Sequence, residues 1–358
     1  MYKESTILRT LLFLTGILLA IPVLALTALA LVTPVTISGG LYLLAGALLA
    51  VGLILAPWQP RAFWVAFCGL IVMLAVAGVR FSLTRNEDSR LKVIVLPAAK
   101  ETRLINALID ERDSLLFGEL IMHLMGGVSS LEHKDIHPAL SAAYQEATVA
   151  NGVFPSPILS TYLGLQKPAA FDAVMVEPRI GQPSTGIVFL HGFMGNVAIQ
   201  CWQIAQAVDR IGALTVCPST SWIGDWWTPE GEAMVQATFR YLRGRGIQRI
   251  YLGGFSNGGN GVGNLIPMLA SEQDLKGLFF IAGMRNASEV RETGLPVLVI
   301  QGTNDERIPV ENARQFVGEI GEKATYVELE ADHFLIIKQP RLVQEAIGNW
   351  LGSHEVDN

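Results

Sequence analysis

Ser256 stands in the run Gly254-Phe255-Ser256-Asn257-Gly258, at the tip of a glycine-rich turn directly behind an apolar stretch. A serine hydroxyl is a weak nucleophile at neutral pH. It becomes useful when an imidazole takes its proton and a carboxylate holds that imidazole in the right tautomer. Both partners occur downstream: Asp305 ends Gln301-Gly302-Thr303-Asn304-Asp305, and His333 lies in Ala331-Asp332-His333-Phe334. Glu306 is the nearest rival to Asp305, and Asp332, adjacent to the histidine, is expected to point elsewhere. Upstream, Phe189-Leu190-His191-Gly192-Phe193 supplies a glycine that lets the backbone fold close to the serine. The amides of Phe193 and Asn257 would then aim at one point and form an oxyanion hole. His191 precedes the serine and is read as a shaping residue of this loop.

These residues need elements that end beside one another. After Phe171 the chain alternates short β-branched runs with helical patterns. Strands are expected at 171–176, 186–190, 213–217, 249–253, 276–281, 296–300 and 325–329. Helices are expected at 197–210, 230–244, 258–270, 311–320 and 340–351. Unbroken apolar strands alternating with helices predict a mostly parallel sheet covered by helices on both faces. In such sheets ligands bind beyond the carboxyl ends of the strands. The four motifs all fall at strand ends, and the serine turn matches G-x-S-x-G with a strand before it and a helix after it.

On these residues, the chain from about 171 to 352 resembles the α/β-hydrolase fold, in which nucleophile, acid and histidine follow one another in the order Ser256, Asp305, His333. The resemblance implies a serine hydrolase working through an acyl-enzyme. The interval between Ser256 and Asp305 is filled by expected core elements, so no lid domain is inserted there.

The first part of the chain is different in kind. No charged residue lies between Thr10 and Pro60, and after Arg61 the next charge is Arg80. Three spans are read at 9–32, 37–56 and 62–82, each close to the roughly 20 residues that cross a bilayer. The expected organisation is therefore an anchor of three transmembrane helices (1–82), a mixed, mainly helical connecting region (83–170) and a catalytic domain (171–358). Lys3, Arg9 and Arg61 on one face nearly balance Arg80, Arg85, Arg90 and Lys92 on the other, so the positive-inside rule does not orient the chain. Cys68 falls within a span. Cys201 and Cys217, expected on a helix and the next strand, are either a disulfide or two buried thiols; the reading leans to an extracytoplasmic domain.

A net charge of −6 without a basic run argues against nucleic acid, and no dinucleotide fingerprint or P-loop appears, so no cofactor is expected. The bilayer and a small-molecule or lipid-like ester are the expected partners. His133 and His137, beside Glu132 and Asp135, would share a helix face suited to a metal, but Pro138 speaks against the helix, and a solvated face is the simpler reading. Trp222, Trp226 and Trp227 could wall an acyl site or pack under their loop, and Arg285 could meet a substrate anion or stay solvated. An anchor beside an apolar-lined site favours an ester or thioester with an acyl chain. A peptidase or acyltransferase on the same fold is the alternative, and a non-catalytic scaffold would have lost part of the site, which is intact here.

Overall fold

The computed structural model describes residues 2–85, 88–179 and 181–355. It forms two compact units, Met1–Asn86 with Ala107–His133, and Glu87–Asn106 with Lys134–Asn358.

The first unit contains α1 (Tyr2–Ala30), α2 (Ile37–Leu55) and α3 (Ala62–Leu83). Over Thr6–Ala30, Ile37–Leu55 and Ala62–Leu83 these are long and apolar enough to cross a membrane, because their side chains are aliphatic on every face and largely exposed. Small residues let the helices approach closely: a Cβ on Gly52 would lie 2.3 Å from the backbone of Ala66. Thr36 caps α2, its hydroxyl accepting the amide of Gly39. Near the end of α3, buried Arg80 donates to the carbonyls of Ala107 at 3.2 Å and Ile109 at 2.7 Å, to Ser38 Oγ at 3.0 Å and to Asp110 at 3.0 Å. Asp110 in turn caps the helix Glu111–Leu124. Arg80 thus closes a polar cluster as well as adding a charge at the end of the span.

The second unit is built on one sheet of nine strands in the order β2-β1-β3-β5-β4-β6-β7-β8-β9. The strands are β1 (Leu91–Leu96), β2 (Lys100–Glu101), β3 (Phe171–Val176), β4 (Thr185–Leu190), β5 (Leu214–Pro218), β6 (Arg249–Phe255), β7 (Leu275–Ile281), β8 (Val297–Gly302) and β9 (Ala324–Leu329). Strands β5, β4, β6, β7, β8 and β9 run parallel, while β1, β2 and β3 pair antiparallel. Alternate residues of each strand serve opposite faces. Leu252, Leu278 and Phe280 join a core with the helices Pro229–Gly244, Asn257–Leu269 and Val310–Ile320. On the other face Tyr251 and Phe279 meet Trp350 of the helix Pro340–Glu355. The unit therefore has the expected α/β-hydrolase architecture, a mostly parallel sheet with helices on both faces.

Two differences stand out, and one open alternative is decided. Leu91–Leu96, in the stretch expected to be mainly helical, is a strand paired with β3, as its Val-Ile-Val run allows. The helix Ser130–Asn151 continues through Pro138. Cys201 and Cys217 form a disulfide that ties the helix Ala198–Val208 to β5.

Candidate active site

Strand β6 ends at Phe255, and the helix Asn257–Leu269 begins one residue later. The chain reverses in that single step because Ser256 adopts φ 53°, ψ −119°, a region disfavoured for any residue with a side chain. Its amide is held by the carbonyl of Ile281 at 2.9 Å. The flanking glycines make the turn sterically possible. A Cβ on Gly254 would sit 2.3 Å from the carbonyl carbon of Gly258, and one on Gly258 would sit 1.9 Å from the carbonyl oxygen of Leu190. Both positions are closed to side chains, as G-x-S-x-G requires.

The Ser256 hydroxyl, partly exposed, lies 2.9 Å from His333 Nε2. On the other side of the imidazole, Nδ1 lies 2.8 Å from Asp305 Oδ2. With Nδ1 protonated toward the carboxylate, Nε2 is free to accept the serine proton. His333 and Asp305 are both buried, and the ring of Phe255 packs 5.2 Å from the imidazole. Asp305 accepts the amides of Arg307 and Ile308 at 2.9 Å each, and Gln301 Nε2 at 3.0 Å. Burial alone would raise its pKa, but the hydrogen bond and charge of His333, with the amides of Ile308 and Arg307, hold it below the usual carboxylate value. Glu306 is exposed. Asp332 turns away, accepting the amide of Phe334 and binding Lys338 Nζ at 2.7 Å.

The HG turn after β4 presses against the serine: a Cβ on Gly192 would lie 3.0 Å from that of Ser256. Phe193 follows Gly192 in this turn, while Asn257 opens the following helix, where backbone N–H groups lack intrahelical partners. His191 fixes the turn from below. Its Nδ1 lies 2.8 Å from the carbonyl of Gly192, and its Nε2 accepts the amide of Thr220 at 3.2 Å. Complete burial lowers its pKa to about 4, so it is a neutral imidazole donating to Gly192.

The three tryptophans separate. Trp226 is fully buried; its indole donates to the carbonyl of His191 at 2.9 Å. It supports the HG turn from inside the core and presents no wall to a substrate, which corrects its assignment as a binding residue. Trp222 and Trp227 remain exposed. Trp222 lies between the ring of Phe193, edge-on at 5.1 Å, and that of Tyr162, stacked at 6.4 Å. The loop carrying Trp222 is tied to the serine turn, since Asn257 Nδ2 donates to the carbonyl of Ile223 at 2.9 Å. Arg285 is exposed, two residues beyond Gly283, whose backbone packs on the carbonyl of Ser256.

Two contributors escaped the sequence reading. Gln301 bridges Asp305 and the carbonyl of Ile308; its signal is a buried amide ending an apolar strand just before the acid turn. Tyr162 is set in place by a cluster around fully buried Asp172, which accepts Ser160 Oγ at 2.6 Å and Gln166 Nε2 at 2.9 Å. No local motif marks it. His133 binds Glu119 at 2.7 Å, and among the described residues no group of three or more His, Cys, Asp or Glu could hold a metal.

No family model and no curated protein matches the chain. Solved structures similar to it include the esterase domain of a Rhodothermus marinus protein, 18% identical, covering 52% of this chain and 93% of that one, with a TM-score of 0.44. An α/β serine hydrolase homologue from Coxiella burnetii is 21% identical, covering 50% and 91%, with a TM-score of 0.42. An α/β serine hydrolase without lid from Xanthomonas campestris is 16% identical, covering 52% and 91%, with a TM-score of 0.43.

Proposed function

We propose that this chain is a membrane-anchored serine hydrolase that cleaves an ester or thioester with an apolar acyl group. The observation that carries the reading is the continuous relay from Ser256 Oγ through His333 to Asp305, at 2.9 and 2.8 Å. His333 takes the serine proton as Ser256 Oγ attacks the carbonyl carbon, and returns it to the leaving oxygen or sulfur as the tetrahedral intermediate collapses. Asp305, held ionised, steadies the imidazolium. The amides of Phe193 and Asn257 bind the developing oxyanion, a contribution typically of about 3–4 kcal/mol per donor. Water, activated by the same histidine, then clears the acyl-enzyme.

Phe193, Trp222 and Tyr162 form an apolar wall at the mouth and supply the surface on which an acyl chain packs. Trp227 and Arg285, both exposed, are the further candidates for substrate contact. The three apolar helices at the start of the chain are the anchor. The disulfide between Cys201 and Cys217 favours an oxidising, extracytoplasmic compartment for the catalytic domain.

The test is covalent labelling of isolated membranes with a fluorophosphonate probe. Labelling of the wild type that vanishes in Ser256→Ala and falls sharply in His333→Ala is expected. A folded wild type whose accessible site takes no label would overturn the reading. In the same preparation, Trp222→Ala is expected to lower kcat/KM for long-chain acyl esters more than for acetyl esters.

A further inference from the structure

The helix Glu111–Leu124 begins at one end of the helical bundle, where α1 and α3 finish and α2 starts. Its first turn is fixed there. Asp113 accepts the amide of Thr36 at 3.0 Å and its hydroxyl at 2.6 Å, and Arg80 binds Asp110 and the carbonyls just before it. The helix also packs against α1. At this end the turn between α1 and α2 leaves Leu31, Val32 and Ile37 exposed by 83%, 71% and 86%.

The far end of the same helix carries a second apolar surface. Ile121, Leu124 and Met125, spaced i, i+3, i+4, form one stripe, and Leu131 follows after the turn. Leu124, Met125 and Leu131 are exposed by 71%, 77% and 80%. No Asp, Glu, Lys or Arg occurs from Leu120 to Leu131. The acids of the helix take no part in that exposed surface: Glu111, Asp113 and Glu119 are buried, the last bound to His133. The exposed surface of the last turn is thus apolar, whereas a water-facing turn would carry its charges there.

We infer that Glu111–Leu124 and the turn after it form an in-plane membrane helix, with Ile121, Leu124, Met125 and Leu131 inserted into the lipid leaflet at the Thr36 end of the bundle. The inference rests on the anchor reading above. Lipid is the occupant because Thr36 and Asp113 join this helix directly to a turn whose Leu31, Val32 and Ile37 require hydrocarbon themselves. Such helices bury their apolar face about 5–10 Å into the boundary between headgroups and acyl chains. The chain therefore has a peripheral lipid contact in addition to its three spans.

The test uses the full chain in lipid nanodiscs with a nitroxide spin label, read by power saturation with oxygen, which concentrates in lipid, and with a water-soluble nickel chelate. Cys201 and Cys217 are bonded and buried, so native Cys68, exposed within α3, reports the span. Leu124→Cys and, separately, Leu131→Cys, each combined with Cys68→Ser, report the helix. Oxygen is expected to relax all three labels more than nickel does. A lipid-facing label at 68 with nickel-accessible labels at 124 and 131 would overturn the in-plane helix alone. Labels at 124 and 131 reached by neither reagent would mean a protein cover, and would also overturn it. Nickel access at 68 would remove the anchor reading and this inference together.

Discussion

Asp113, beside the helical bundle, and Asp305, at the strand ends, are both buried carboxylates that accept backbone amides, yet their acidities move in opposite directions. Burial raises the pKa of Asp113, and its bonds to Thr36 do not offset it; the nearby charge of Asp110 adds to the rise. At Asp305 the same burial is outweighed by the imidazole and two amides. The difference lies in where the cationic partner is placed. Arg80 is committed to Asp110, Ser38 and two carbonyls, leaving Asp113 with neutral donors. Asp305 has an imidazole whose second nitrogen faces a partly exposed hydroxyl. One cluster closes upon itself and holds helices; the other leaves one reactive atom facing outward.

The comparison can be broken most sharply at Asp305. Asp305→Asn would favour the wrong tautomer of His333, and kcat is expected to fall on the order of 10⁴-fold in ester hydrolysis, with the fold retained by circular dichroism. In the bundle the large effect should be on stability. Arg80→Met leaves Asp110 without its buried cation and is expected to cost about 3–5 kcal/mol in detergent unfolding, whereas little change would show that the cluster is dispensable.

The two buried histidines of the sheet unit extend the contrast to pH. Among the described residues His191 has no carboxylate in hydrogen-bond contact, and its folded pKa of about 4 lies below the ordinary 6.5. Between these values the unfolded chain binds the extra proton, so stability falls as pH drops through this window, by about 3 kcal/mol in total. The steepness of denaturation midpoints between pH 6.5 and 4 is expected to lessen in His191→Gln; an unchanged slope would refute the neutral buried imidazole. Asp305 acts at lower pH: its stabilisation is present above the unfolded value of 3.8 and is lost as pH falls through its depressed folded value. Asp113 has the reverse sign, its contribution lost as pH rises from 3.8 through its raised folded value. Accordingly Asp113→Asn should change stability at pH 7 by no more than about 1 kcal/mol, the smallest of these effects.

The sequence made Ser256, Asp305 and His333 legible as a set because each follows a strand with a distinctive run, and strand ends in a parallel sheet converge on one edge. It did not reveal which indole of Trp222, Trp226 and Trp227 turns inward. That choice depends on Gly231 and Gly261, where a Cβ would lie 2.8 and 2.6 Å from Trp226 atoms, contacts invisible in the local run. Leu91–Leu96 has strand chemistry, but its pairing with β3 bridges a long interval and leaves no local periodicity. Pro138 speaks against a helix across His133 and His137, yet the structure accommodates it between Ser130 and Asn151.

The backbone of Ser256 carries a further consequence. A left-handed φ of 53° is unfavourable for serine and for alanine alike but natural for glycine. Ser256→Gly should therefore melt at a higher temperature than Ser256→Ala, with a difference of about 1–3 kcal/mol in unfolding free energy. Selection for heat endurance alone would drift toward glycine at this position and, on the proposed function, remove the nucleophile, so directed evolution of a hardier version must screen turnover in every round.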